Sequence, residues 1–585
     1  MLLIFLVVLT PLGSTFAQDT VSVKGYLNNQ IISDSTGLLT VLKQSSSLVF
    51  DPVYYSQNIG GLRIDLSPKF SLSNWYDDVA LSKLEKKSIS FSDSSLTEVN
   101  YLYGLDASHE FLGSYADKLG KTHLNIIFDR SSSEGRLANT DVKNVKFLIN
   151  LSKNSGKHRF QYGFVKNSFV QGQNGGIEDS STAYYEALEL TKFTVPVALN
   201  SAQNSISMTE MYVGNSYILN YKDIEDSLSI DTINPKYLHA LGYSLNLQKE
   251  QYLYSMDQAD IYSSSFDTTL VNLNETWDSL GYSKLCYEVY YQLLDSVERN
   301  IIKLSYGSDV YDWSILNQSF LKLNFQNYMF GHSSINGKYN IDGLWKGGYD
   351  FELSHNKDIF TSWLSSFKYQ IGRNLPGYFF MNYQGNHFNW SNTFEKIRSH
   401  NVTYSLYHKP SFSGVEGSVR MVDNWIYMDT LSLPVQLNER IQYFKVGAFN
   451  AFSNKYLSIY TNLSYQKSSS DVLRFPSYNI RNVFSYNFKL GRLNFSTGYI
   501  FNYFSSFTGL DYNPNLRRIY LQDEKEVGGI PLLDVFGTVS IGEANVFVKG
   551  ENILFDSVTR AYFLYANRPV LPRYLRIGFS WTFKN

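Results

Sequence analysis

The chain ends with the stretch Arg573-Tyr574-Leu575-Arg576-Ile577-Gly578-Phe579-Ser580-Trp581-Thr582-Phe583-Lys584-Asn585, whose side chains alternate in character. The odd positions from Leu575 to Phe583 are apolar, and the even positions between them carry polar side chains or glycine. A period of two residues is that of a β-strand with one apolar and one wet face. Because the run has about the ten residues that a tilted strand needs to cross a bilayer, it predicts a membrane-spanning strand.

The same strand carries a spaced set of four residues: Arg576, Gly578, Trp581 and Phe583. Their spacing resembles the C-terminal signal by which barrel proteins are handed to the barrel-insertion machinery of the outer membrane. An edge strand exposes unpaired backbone groups, so a partner can add to it while the aromatic side chains engage a groove. We therefore expect these four residues to form an insertion signal.

Alternation of the same kind recurs along the chain, and it is clearest in the C-terminal half. The strands that it predicts are joined alternately by long connections and by tight turns, the latter at Ser453-Asn454, Gly491-Arg492 and Gly542-Glu543. Outer-membrane barrels show this pattern, with short periplasmic turns and longer outer loops. Thirteen strands are predicted from residue 319 onward, near 319–330, 337–353, 359–371, 378–391, 397–408, 413–427, 441–452, 455–467, 481–490, 493–504, 532–541, 544–553 and 573–583.

The first 300 residues alternate less clearly. Residues 283–294 fit either a strand or a short helix. Because bacterial single-chain barrels have an even number of strands, we expect an even total of about 18–24. The predicted fold is all-β, with a single transmembrane antiparallel β-barrel over residues 61–585. Further strands are predicted near 61–73, 99–112, 120–130, 143–152, 158–166, 205–221, 237–248 and 299–310.

The N-terminus predicts export. An apolar run over residues 1–12 is followed by small and polar residues that end at Ala17. This run is shorter than the roughly 20 apolar residues of a membrane helix, and it is typical of a secretory signal peptide cleaved after Ala17. We expect a signal peptide at 1–17 and an N-terminal segment at 18–60.

Composition is consistent with a barrel. Aromatic residues make up 16% of the chain, whereas its mean hydropathy is slightly polar at −0.23. This mixture suits strands with one lipid face, one wet face and aromatic girdles. Beyond the N-terminus no apolar run is long enough for a membrane helix, and only helices and closed barrels satisfy every backbone group in lipid. The net charge of −2 gives no reason to expect a nucleic-acid partner. A bacterial outer-membrane location, in contact with outer-membrane lipid, follows from this interpretation.

Residue types that carry catalysis or metal binding are sparse. The chain has 9 histidines and a single cysteine, Cys286. His387 is the strongest catalytic candidate, but its neighbours Phe388 and Trp390 suit an interface-facing aromatic strand equally well. A calcium site at 523–526 is a minor alternative to a solvated outer loop. We therefore expect no enzymatic activity, no cofactor and no metal site.

Several segments resemble the "putative porin" family of Bacteroidota. The resemblance implies a large outer-membrane barrel. It also implies that the matching stretches are strands and turns of the barrel itself. It identifies no residue that contacts a solute. It is firm over roughly 475–585 and extends to two shorter segments. The segments are 512–514, 520–522, 529–536, 546–552 and 573–581, together with the shorter 174–177 and 385–390.

The connection 505–531 is the longest predicted in the C-terminal half, and it concentrates charged and aromatic residues. Charged groups at a narrowing set what passes through a wide aqueous barrel. We therefore expect this loop to fold partly inward and narrow the pore, although a flexible outer loop would fit the sequence equally well. The candidate constriction residues are Arg517, Arg518, Asp523 and Glu524. We expect the two arginines to face acidic side chains across the narrowed pore.

The expected function is passive diffusion of small hydrophilic solutes through a water-filled lumen. An energised transporter of 22 strands would need a plug domain of about a hundred residues before its first strand. The alternation of apolar and polar residues begins at Leu62, so only 44 residues lie between the expected cleavage site and the first predicted strand. A barrel scaffold, or an accessory of an assembly or secretion system, is the remaining alternative. A continuous open lumen would indicate a channel, and a closed lumen would indicate a scaffold.

Overall fold

The computed structural model describes residues 95–178, 195–220, 237–257, 266, 268–295, 300–329, 331–555 and 562–584, and the backbone of four short strands before them. Its dominant feature is a closed antiparallel barrel of 22 strands, each paired with its neighbours in chain order. The strands are β1 Leu96–Gly104, β2 Ser108–Leu119, β3 Thr122–Ser133, β4 Val142–Ser155, β5 His158–Gly172, β6 Gln203–Ile218, β7 Tyr237–Asp257, β8 Glu275–Asp295, β9 Asn300–Tyr311, β10 Gln318–Asn327, β11 His332–Asn340, β12 Tyr349–Ile359, β13 Trp363–Asn374, β14 Ile397–His408, β15 Ser413–Asp423, β16 Ile441–Ser453, β17 Leu457–Ser468, β18 Tyr478–Leu490, β19 Leu493–Phe504, β20 Ile530–Ile541, β21 Ala544–Glu551 and β22 Tyr574–Lys584.

The last strand closes the barrel by pairing with the first. The register runs from Ile577 opposite Tyr103 to Lys584 opposite Leu96. Closure removes both sheet edges, so every strand finds backbone partners on both sides without help from water. The predicted all-β barrel, its closure and its even strand number are confirmed.

The side chains of the wall alternate between lipid and lumen as the sequence predicts. In β22, Leu575 and Ile577 are exposed on the outer face, whereas Arg576 between them is buried on the inner face. Exposed apolar side chains on one face and buried polar ones on the other are the pattern of a membrane barrel. The alternation therefore assigns each wall residue to lipid or to the lumen.

Long and short connections also alternate as predicted. The tight turns 491–492 and 542–543 lie on one rim, together with 120–121 and 156–157, and the long connections 505–529 and 552–573 lie on the other. Two connections depart from the rule. The link 105–107 is short although it lies on the long-loop rim, and 219–236 is long although it lies on the tight-turn rim.

The predicted total of thirteen strands after residue 319 is correct, but two errors cancel in it. The predicted strand 337–353 is two strands, because Gly343 and Gly347 adopt positive φ in a turn between them. The predicted strand 378–391 is not in the wall: it holds a helix, Tyr378–Met381, and a two-stranded sheet inside a loop. Its alternating aromatic residues are buried against other loops instead of facing lipid.

The N-terminal half requires two corrections and settles one ambiguity. The predicted strand 99–112 is two strands joined at Asp106 and Ala107, whose positive φ values mark a turn that itself contains no glycine or proline. The barrel begins at Leu96 and not at residue 61, since residues 63–65 pair with 53–55 in a separate sheet. Residues 283–294 are part of strand β8. In the described part of the chain, no helix is long and apolar enough to cross a bilayer.

The topology can be tested by cysteine labelling in a Cys286→Ser background. Leu431 is 63% exposed in the connection 424–440, and Lys455 lies in the tight turn 454–456. We expect Leu431→Cys to react with a membrane-impermeant maleimide on intact cells, and Lys455→Cys to react only after the outer membrane is opened. Equal labelling of both on intact cells would overturn the assigned orientation.

Candidate functional site

The connection between β19 and β20 folds as a β-hairpin, which we call the mouth hairpin. Its strands are Phe507–Asn513 and Arg518–Val527, with a register shift between Thr508 and Leu510. At the tip, the Asn513 side-chain oxygen accepts hydrogen bonds from the backbone N–H groups of Asn515 (3.1 Å) and Leu516 (3.2 Å). Such a side-chain turn at an Asn-Pro sequence is a common way to reverse a chain.

The tip of the mouth hairpin contacts the opposite wall of the barrel. The Tyr252 hydroxyl donates to the carbonyl oxygen of Asn515 at 2.7 Å, and the Asn204 amide donates to that of Pro514 at 3.1 Å. The Asn515 amide donates to the Asp278 carboxylate at 2.8 Å. Asp278 lies on β8, which is eleven strands from β19 in both directions around the barrel. The hairpin thus spans the mouth from wall to wall, as the predicted inward fold requires.

A buried ion pair attaches the mouth hairpin to the loop 552–573. Arg568 is 2% exposed, its Nε lies 3.9 Å from the Asp511 carboxylate, and its guanidinium lies over the ring of Tyr512. The Asn567 amide donates to the other oxygen of Asp511 at 2.7 Å. Arg568 also donates to the side-chain oxygen of Asn174, in the loop 173–202, at 3.3 Å. Three loops therefore meet at one carboxylate and one guanidinium.

Burial dominates the electrostatics of this junction. It raises the pKa of the Asp511 carboxyl, and the nearby Arg568 guanidinium opposes that rise. Burial also raises the pKa of the Tyr520 hydroxyl, and the Asp511 carboxylate that accepts its hydrogen bond raises it further. Tyr520 therefore stays a neutral donor to Asp511 at physiological pH.

A fourth loop, 375–396, is joined to the β8 wall by Asn386 and His387. His387 is buried: its Nε2 lies 2.9 Å from the Thr276 hydroxyl, its Nδ1 lies 2.8 Å from the carbonyl oxygen of Thr268, and its ring stacks on Phe266 at 4.1 Å. Burial lowers the pKa of His387. The Asn386 backbone N–H donates to Asp278 at 2.8 Å, so one carboxylate anchors both this loop and the mouth hairpin. His387 belongs to a loop and not to an interface-facing strand.

The four candidate constriction residues occupy two parts of the mouth hairpin. Arg517 is buried at the tip with its guanidinium 5.0 Å from the Tyr252 ring centroid, and Arg518 lies 4.8 Å from the Phe379 ring centroid. Asp523 and Glu524 lie farther along the second strand, where Asp523 forms an ion pair with Arg474. The structure places both arginines against aromatic rings; that they face acids across a pore stays a prediction. In the described part of the chain, no group of three or more His, Cys, Asp or Glu residues could hold a metal.

The four residues of the predicted insertion signal divide between the two faces of β22. Trp581 and Phe583 face outward with ring centroids 4.2 Å apart. Arg576 faces inward and pairs with Glu551 at 3.1 Å, and a Cβ on Gly578 would lie 2.4 Å from the Phe547 ring. The inner pair therefore has a packing role in the wall, and the outer aromatic pair remains available for recognition.

Sequence reasoning missed most of the anchoring residues. Asp278 and Asn204 lie on the wall far from the hairpin in sequence, and nothing near them in the chain signals a loop contact. The pairing of Asp511 with Arg568 is equally invisible, since the two are 57 residues apart. Only the tip gives a signal, because Asn513-Pro514 predicts a turn within the long connection.

The fold and the alternating faces define an outer-membrane β-barrel protein. The family described as "Putative porin" matches residues 91–585, and the chain belongs to this family. The protein lies in the bacterial outer membrane. No curated protein matches it in sequence.

Solved structures with a similar fold include two ferric siderophore receptors and an iron transporter. A mutant of the ferric enterobactin receptor PfeA of Pseudomonas aeruginosa has a TM-score of 0.57 at 9% identity, covering 85% of this chain and 81% of that one. The FrpB iron transporter of Neisseria meningitidis gives 0.53 at 10% identity, with 86% and 82% covered. BauA, the ferric preacinetobactin receptor of Acinetobacter baumannii, gives 0.50 at 11%, with 84% and 80% covered. At these identities the likeness shows the barrel fold alone.

The sequence resemblance predicts that the matching segments are strands and turns of the barrel wall. This prediction is wrong for several of them. Four of them lie in the outer loops. The segments 512–514 and 520–522 belong to the mouth hairpin, 174–177 contacts Arg568, and 385–390 contacts Asp278. These segments therefore belong to one set of contacting outer loops, which we call the loop layer.

Charged substitutions on the outer face of β22 test the insertion signal. We expect Trp581→Lys or Phe583→Lys to leave export intact and to remove most of the protein from the outer membrane, measured by fractionation. A lysine near a membrane interface costs only about 0–1 kcal/mol, so a large loss would reflect lost recognition. Thr582→Lys, on the inner face, is the matched control, and normal assembly of the Trp581 and Phe583 variants would refute the signal.

Removing Arg568 tests the junction of the loops. Arg568→Met leaves the buried Asp511 carboxylate without its cation, and losing one partner of a buried pair costs about 3–5 kcal/mol. We expect external protease to cleave within 505–529 much faster than in the wild type, while the barrel stays folded. In the control Arg440→Met, a solvent-exposed pair with Asp423 is lost, and such pairs contribute little to stability. Similar cleavage rates in the two variants would contradict the assigned role of Arg568.

Proposed function

We propose that the protein lets small hydrophilic solutes diffuse passively across the outer membrane, through a lumen that the mouth hairpin narrows. The observation that supports this proposal is the contact of the hairpin tip with Asn204, Tyr252 and Asp278 on the far wall. A 22-stranded barrel would otherwise leave a wide aqueous bore. A hairpin fixed at both ends divides that bore and limits the size of what can pass.

The inner wall supports an aqueous path. Ion pairs and amide pairs follow one another around it, such as Lys368 with Glu352 at 2.8 Å and Asn401 with Gln370 at 2.9 Å. These groups hydrogen-bond one another and can also hydrogen-bond water and solutes. Under this proposal His387 is a structural residue of the loop layer, since both of its ring nitrogens already lie within hydrogen-bond distance of Thr276 and Thr268, and the protein has no catalytic activity.

Energised uptake is a second candidate, favoured by the strand number. Outer-membrane transporters with 22 strands carry a plugged lumen, and the solved structures with this fold include the FrpB iron transporter. The N-terminal segment expected from the sequence, 18–60, is too short for a plug domain. Because the barrel begins at Leu96, 78 residues lie between the expected cleavage site and the first strand, which weakens that objection.

Bilayer recordings with a released hairpin tip test the proposal. Tyr252→Phe combined with Asn515→Ala removes side-chain hydrogen bonds of the tip while leaving the wall intact. We expect wild-type protein to form open channels in planar bilayers, and the double variant to show a higher and noisier single-channel conductance. Tyr212→Phe is the matched control, because its hydroxyl donates to Asn150 within the wall at 2.6 Å.

The two candidates give different results. Passive diffusion predicts wild-type conductance and solute entry that does not depend on an energised inner membrane. Absence of wild-type conductance, together with uptake that an uncoupler abolishes, would reject passive diffusion in favour of energised uptake.

A further inference from the structure

The lumen wall formed by β7–β15 contains a cavity of about 750 Å³. Its lining includes four cationic residues, which we call the basic wall: Lys303, Lys322, Lys338 and Arg420. Their sequence neighbours Leu304, Leu321, Tyr339 and Val419 are exposed on the lipid face. Since successive strand residues point to opposite faces, the four cationic side chains point into the lumen.

Two of these cations oppose each other directly. Lys322 and Lys338 are register partners on β10 and β11, and both ammonium groups lie 4.5 Å from the centroid of the Phe320 ring. Like charges directly opposite on neighbouring strands destabilise a sheet. The wall therefore holds a concentration of positive charge that folding alone does not favour.

The carboxylates of the same cavity are already engaged by the wall. Glu288 accepts from Lys322 at 2.7 Å, Glu352 pairs with Lys368 at 2.8 Å, and Asp350 accepts from the Asn374 amide at 2.8 Å. Each carboxylate therefore already interacts with a donor, which weakens its electrostatic attraction for a cation in the lumen.

Two cations of the basic wall are not balanced in this way. Within the residues that the structure describes, neither Lys338 nor Arg420 has a carboxylate within 4 Å, although Asp350 is the register partner of Lys338. The buried Nε of Arg420 has no hydrogen-bond partner. The unbalanced groups that face this cavity are therefore positive.

The basic wall lies on the route past the mouth hairpin. Asp278, which anchors the hairpin tip, and Glu288, which pairs with Lys322, are ten residues apart on the same strand β8. A solute that enters from outside and passes the tip therefore meets the basic wall farther along the barrel, on the same side of the lumen.

We infer that this wall selects anionic solutes and binds their carboxylate or phosphate oxygens at Lys338 and Arg420. The inference deepens the proposed function, on which its transport part rests. A lysine presents a compact charge and an arginine a fork of donors, and both bind anionic oxygens. Cationic groups lining a pore favour the passage of anions.

The reversal potential of full-length protein in a planar bilayer under a KCl gradient tests the selectivity. Wild-type channels should prefer chloride, and Lys338→Gln with Arg420→Gln should lower the chloride-to-potassium permeability ratio by at least about twofold, the effect of a unit charge acting across a few ångströms of water. Lys338→Arg should retain the preference. Lys455→Gln, which makes the same change in a turn outside the lumen, should leave it unaltered.

Phosphate binding gives a readout that does not require conduction. Isothermal titration of detergent-solubilised full-length protein with inorganic phosphate should show binding that the double glutamine variant weakens severalfold. Channels that conduct without anion preference, or a double variant with an unchanged ratio, would overturn the inference and leave the proposed function standing. If the wild type does not conduct, the proposed function fails, and equal phosphate binding by both proteins would then overturn the inference as well.

Discussion

Every backbone N–H and C=O group that lies in lipid must find a partner within the protein, and the rest of this structure depends on that constraint. Pairing of β22 with β1 meets it by leaving no strand edge. Once the sheet is closed, each strand must present apolar side chains to lipid and can present polar ones to the lumen. The ion pairs and amide ladders of the inner wall are a consequence of this division.

The same constraint explains which parts of the fold the sequence predicts. A period of two residues is a local property, so strands such as 397–408 and 493–504 could be located closely from sequence. The turn at Asp106 could not be located because the residues with positive φ, Asp106 and Ala107, are neither glycine nor proline. Residues 378–391 were misassigned because aromatic residues buried in a loop layer can alternate as regularly as those facing lipid.

The site was predictable only in outline. Length and charge identified the connection 505–531 as one that could fold inward, and its tip does reach the far wall. Its anchors could not be identified, since the contact between Asn515 and Asp278 joins residues 237 positions apart. Arg517 illustrates the limit: its charge suggested an acidic partner, and its guanidinium lies over the Tyr252 ring. Long-range polar contacts leave no periodic trace in a single sequence.

The wall-to-wall hairpin also constrains the order in which the molecule can be built. Its tip needs β6, β7 and β8 in place as a curved surface, while its base emerges between β19 and β20, near the end of the chain. Contacts of such high sequence separation form slowly, because chain entropy is lost before they are made. The hairpin therefore docks late, after most of the wall has formed. A newly closed barrel would therefore have a wide outer opening for as long as the hairpin is undocked. Docking of the hairpin tip on the far wall would narrow that opening.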